Sequence, residues 1–137
     1  MAVAVAAVFV WLGMVLAISF IEAPLKFRAP GVTLHIGLGI GRLVFRALNA
    51  CELALAAVVV ACFVITPPAA DSAVAAAVAI VTLLAQVLAV RPRLTRRSDA
   101  VLAGGEGPRS HAHWAYVGLE IVKVIALLIV GVSLLAA

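Results

Sequence analysis

Residues 73–90 read AVAAAVAIVTLLAQVLAV and run straight into residues 91–97, RPRLTRR. Eighteen residues with no charged side chain therefore stop at four arginines within seven positions. An apolar helix of about 20 residues matches a bilayer core of ~30 Å. The arginine cluster marks where that helix leaves the core. Working outward, three more apolar runs appear, at about 2–21, 36–65 and 114–136. The pattern predicts an all-α fold, a four-helix transmembrane bundle formed by one membrane domain over residues 1–137.

Threading the four runs up and down puts the connections 22–35 and 91–113 on one side. They carry Lys26, Arg28, Arg91, Arg93, Arg96, Arg97 and Arg109. Arg42, Arg46 and Lys123 lie in the halves of their helices nearest that side. All ten Lys and Arg residues thus share one side. The N-terminus, residues 66–72 and the C-terminus, on the other, hold none. The positive-inside rule predicts a multi-pass protein of the cell membrane, basic loops in the cytoplasm and both termini on the non-cytoplasmic side.

A chain that is 66% hydrophobic and 12% charged does not have the composition of a soluble domain. Its net charge of +4 follows from topology, so no nucleic-acid partner is expected. The bilayer is the first partner, and the basic loops suit anionic headgroups. The first run lacks a basic leader and exceeds a signal-peptide core of ~7–15 residues, so it reads as a retained helix. Cys51 and Cys62 lie about 16 Å apart along one helix, too far to bond to each other.

Local signals set expected boundaries. Pro24 predicts the end of the first helix at Glu22, because a proline disfavours helix in the residue before it. Pro30-Gly31 predicts a turn. Gly37 and Gly41 form a G-x-x-x-G pair for close helix packing. The glycine run 37–41 is not a phosphate loop, since no strand precedes it. Pro67-Pro68 ends the second helix, and Asp71 or Ser72 is expected to cap the third. Residues 95–103 suggest a short surface helix closed by Gly104-Gly105, with Gly107-Pro108 breaking the chain before the fourth run.

Ionisable groups inside a span are costly and face protein or a cavity rather than lipid. Here they cluster. Arg42, Arg46 and Asn49 fall within about 60° of arc on the second helix, with Glu52 about 60° further round. His113, Tyr116, Glu120 and Lys123 form a stripe of about 80° on the fourth. Glu22 and Gln86 lie near the same level. Every one belongs to the basic half of the bundle, and the other half is almost wholly apolar. The pattern predicts either a one-sided polar pocket or an internal ion-pair network, with Arg46–Glu120 and Glu52–Lys123 as its pairs. Snorkelling of Arg42 and Lys123 is the plainer alternative.

His35, His111 and His113 all fall at the basic face and are the weak candidates for a metal. His111 and His113 would diverge by about 160° on a regular helix. No metal or cofactor is predicted, although haem, metal or quinone chemistry near these histidines stays open as an alternative. No serine has the base or elbow of a nucleophilic triad, so no catalytic residue is assigned.

The run Glu22-Ala-Pro-Leu-Lys-Phe27, then Gly41-Arg-Leu-Val-Phe45 and Asn49, with His113, Tyr116, Glu120 and Lys123, resembles the bacterial four-helix membrane proteins related to transmembrane protein 205. The resemblance implies a four-helix membrane fold and supplies no reaction or catalytic residue. Taken together, the residues suggest a non-enzymatic binder or transporter of a small solute or ion through a cytoplasm-facing polar pocket. A structural or interaction subunit of a membrane complex is the alternative. Short helices with Gly and Ala faces also suggest a homo-oligomer or a membrane partner protein.

Overall fold

A computed structural model describes residues 1–103 and 111–137 of the chain. The segment 104–110 lies outside it, with the expected breaks at Gly104-Gly105 and Gly107-Pro108 and with Arg109. So do the side chains of Val101, Leu102, His111 and Ala112. The described residues are almost entirely helical and contain no strand. Helix α1 spans Ala2–Arg28, α2 Leu34–Ile65, α3 residues 70–102 and α4 His111–Ala136. All four are long and apolar enough to cross a membrane, so the chain is a multi-pass four-helix membrane protein.

The helices are longer than their apolar runs, and this corrects several expected boundaries. Pro24 does not end α1. The backbone widens into a π-helix over Leu16–Glu22, and Ala23 N–H bonds to Ile18 O. That wider turn displaces the carbonyl a proline ring would strike in a regular helix, and α1 continues to Arg28. The connection 22–35 therefore shrinks to a turn. Val32 N–H bonds to Ala29 O at 3.2 Å, and Gly31 at φ +81° takes the position where a type II turn needs glycine. Thr33 caps α2 by accepting from Ile36 N at 3.2 Å, which places His35 inside the helix.

The expected loop 91–113 is likewise mostly helix. Helix α3 passes through a second π segment, Gln86–Val90, and carries on through Arg91–Leu102 without a break. The surface helix expected over 95–103 is the end of α3. Arginines cost little helix propensity, and leaving the apolar core does not require the backbone to unwind. At its other end α3 starts at Ala70, three residues early, with Ala69 as the cap residue. Asp71 and Ser72 sit in its first turn, where the Asp71 carboxylate accepts from Ser72 N at 2.8 Å and complements the helix dipole.

Helix α1 packs against α2 and α4, α3 packs most extensively against α4, and the α2–α3 interface is the slightest. The core fills the apolar end. Ala4, Val8, Trp11 and Val15 of α1 meet Val59 of α2, Ala79 and Leu83 of α3, and Leu127 and Val130 of α4. Alanine is abundant here because burying apolar surface drives no association in lipid, and close backbone approach does. Gly131 of α4 shows this directly, since a methyl there would meet the Phe9 ring at 2.7 Å. Large apolar side chains such as Leu43, Val64, Ile65 and Leu88 point outward, as a lipid-facing surface requires.

Candidate functional site

The polar side chains collect at the basic end in two layers. The inner layer is centred on Lys123 of α4, which is fully buried. Its Nζ lies 2.5 Å from Glu52 Oε2 of α2 and 2.5 Å from Glu120 Oε1, one turn earlier on α4. It also donates to Gln86 Oε1 of α3 at 2.8 Å. Helix α1 completes the shell from the fourth side. Trp11 Nε1 donates to Glu52 Oε2 at 2.8 Å, and Ser19 Oγ donates to Glu120 Oε2 at 2.7 Å. Gln86 Nε2 reaches Glu120 Oε1 and the Tyr116 carbonyl, each at 3.4 Å. Every helix thus contributes to one ammonium held by two carboxylates. Buried charge is tolerated only with such pairing, because desolvation costs several kcal/mol per ion.

Local backbone explains the convergence. Ser19 lies within the π segment of α1, and Gln86 opens the π segment of α3. A π turn shifts helical register by one residue, which brings these side chains to face α4. Such bulges recur at functional sites.

The outer layer is a cavity of about 490 Å³ between this network and the basic end. Ser19 and Glu120 belong to both layers. Arg91 of α3 enters it from above. Its guanidinium lies 5.1 Å from the Phe45 ring centre and 5.0 Å from that of Tyr116, and Nη2 donates to the Tyr116 hydroxyl at 3.3 Å. The two rings meet edge to face, with centroids 5.7 Å apart. The end of α1 forms another wall. Phe27 is seated over Gly37, and Lys26 Nζ lies 3.0 Å from where a Gly41 methyl would be. The G-x-x-x-G pair therefore receives two side chains of α1 rather than the backbone of another helix.

The sequence-derived candidates divide accordingly. Glu52, Gln86, Glu120 and Lys123 form the inner network, and Tyr116 joins it through its carbonyl. Arg42 lines the cavity and pairs with Asp99 at 2.6 Å, an exposed bridge between α2 and α3 worth ~0–1 kcal/mol. Glu22 is apart from the network, 3.7 Å from Lys26. Asn49 is buried, and its Oδ1 has no hydrogen-bond partner. The expected Arg46–Glu120 pair does not form: Arg46 is exposed, and Glu120 is engaged by Lys123, Ser19 and Gln86. Depth and face match for that pair, but Lys123 reaches Glu120 along its own helix at i,i+3, the shorter route.

His113 lines the cavity and His35 is exposed on the first turn of α2. Among the described residues, no three His, Cys, Asp or Glu side chains gather as a metal-binding group.

Trp11, Ser19 and Arg91 are functional positions that sequence reasoning missed. Trp11 reads as one more apolar residue of an apolar run. Ser19 is out of phase on a 3.6-residue period, and Arg91 reads as loop. One signal was available: Trp11 carries a donor that needs a partner when buried.

No family model, curated protein or solved structure matches this chain. Fold and site therefore rest on their own geometry.

Proposed function

We propose that this protein is a non-enzymatic binder or carrier of a small solute or ion, which enters from the basic side and is held at the polar end of the bundle. The observation that carries this reading is the cavity of about 490 Å³, lined by all four helices, with Ser19 and Glu120 at the wall it shares with the buried network. Small-molecule sites commonly fall within about 300–1,000 Å³ and combine apolar walls with a few placed polar groups. The positive-inside rule makes the basic end cytoplasmic in the cell membrane, with both termini outside. Self-association through the Gly and Ala faces, or a membrane partner protein, belongs to the same proposal. Kinship with the proteins related to transmembrane protein 205 is proposed on the residues from Glu22 to Lys123 quoted above.

Glu120→Gln tests the reading, because it changes the cavity wall while leaving Lys123 one carboxylate, Glu52. The expected result, by native mass spectrometry from lipid nanodiscs, is a changed occupancy of bound small molecule on an intact assembly. Loss of the folded protein instead supports a second reading, an interaction subunit whose charges only fix helix register. That reading has its own observation: Glu52 and Lys123 are both fully buried, away from the cavity lining. It predicts that the exchange Glu52→Lys with Lys123→Glu is tolerated and leaves occupancy unchanged.

A further inference from the structure

Resting on the solute-binding reading above, we propose that the cavity takes an amphiphile with an anionic phosphate or carboxylate head, anchored by Arg91. The charges of the lining select the sign. Lys26, Arg42, Arg91 and Arg97 line the cavity against one carboxylate, Glu120, which Lys123 already neutralises at 2.5 Å. Lys26 faces Glu22 at 3.7 Å and Arg42 bonds Asp99 at 2.6 Å. Arg91 forms no ion pair with any described carboxylate.

The surroundings of Arg91 fix its geometry without using its donors. Phe45 and Tyr116 hold the guanidinium through their rings, a contact that leaves N–H groups free. Of its five N–H donors, Nη2 has the Tyr116 hydroxyl at 3.3 Å, and Nε is buried with no hydrogen-bond partner. A buried donor left unmade is costly, and a planar fork held in place suits a phosphate or carboxylate. A ligand oxygen supplies the acceptor that the protein does not.

The other walls select the body of the ligand. Phe20, Phe27, Leu38 and Val117 line the same cavity. A bare anion leaves such walls wet, whereas an attached apolar chain covers them. Lipid headgroups and soluble anions share the head chemistry, and the chain is what separates them.

The test uses the full chain in dodecyl maltoside with three probes: dodecyl phosphate, inorganic phosphate and dodecyltrimethylammonium. Calorimetry and native mass spectrometry read affinity and stoichiometry. One dodecyl phosphate per chain is expected, bound at least tenfold tighter than inorganic phosphate. Arg91→Gln is expected to weaken it at least tenfold, and Arg91→Lys to fall between the two. Arg93→Gln, exposed and outside the cavity, is expected to stay within twofold. Circular dichroism checks that each variant is folded. Equal affinity for inorganic phosphate overturns the amphiphile and leaves a soluble anion. Equal affinity for the ammonium probe overturns the anionic head but leaves a solute-binding cavity. Equal losses in Arg91→Gln and Arg93→Gln overturn the anchor. Failure of all three probes to bind removes the solute-binding reading as well.

Discussion

Replacing Lys123 with methionine keeps most of the side-chain volume and removes the one cation of the inner network. Lys123 is fully buried, and its Nζ contacts Glu52 and Glu120 at 2.5 Å each and Gln86 at 2.8 Å. In the variant, two carboxylates remain in the bundle interior with no countercharge. The donors left to them are Trp11, Ser19 and Gln86, all neutral. Removing one partner of a buried ion pair costs about 3–5 kcal/mol, chiefly because the other charge is left uncompensated. We therefore expect Lys123→Met to lose about 3–5 kcal/mol. The triple change Lys123→Met, Glu52→Gln, Glu120→Gln removes every charge and is expected to recover most of that loss, since neutral replacement of a buried triad is often harmless. Unfolding in mixed dodecyl maltoside and sodium dodecyl sulfate micelles, read by circular dichroism, measures both. A loss below about 1 kcal/mol for the single change, or an equal loss for the triple, would refute the uncompensated-charge argument.

The remaining predictions concern packing and topology. Trp11→Phe removes the donor to Glu52 and is expected to cost about 1.5–3 kcal/mol in the same assay, the usual range for a hydrogen bond to a charged group. Gly131→Ala forces Phe9 aside and is expected to cost about 1–3 kcal/mol, as overpacking does. Gly13→Ala has open space around it and is expected to be neutral or to stabilise by up to ~1 kcal/mol, through helix propensity. In a background with Cys51 and Cys62 replaced by alanine, Ser98→Cys is expected to react with an impermeant maleimide in inverted vesicles, and Ala69→Cys in intact cells. The reverse labelling would overturn the cytoplasmic placement of the basic end.

How much of the site is legible depends on how far each residue obeys a regular helix. Glu52, Glu120 and Lys123 are legible as a group because a charge inside an apolar run is costly in hydrocarbon and must find a partner within the bundle. The i,i+3 spacing of Glu120 and Lys123 points to their pairing. Ser19 and Gln86 are not legible as partners, since their π segments shift the register on which face arguments rest. Arg91 reads as loop because the change in composition there suggests a change in backbone. The helix crosses that change unbroken and turns Arg91 into the cavity.

Sequence alone determined that four apolar helices exist and that the polar groups lie at one end. Those features follow from bilayer thickness and from the cost of charge in hydrocarbon, which act on each segment separately. The tertiary structure decided which carboxylates share Lys123, that Trp11 and Ser19 complete the shell, and that a cavity remains above it. These depend on the relative rotation of the helices. Two π turns set part of that rotation, and the seating of Phe27 on Gly37 and of Phe9 on Gly131 sets another, through contacts that link one helix to the next.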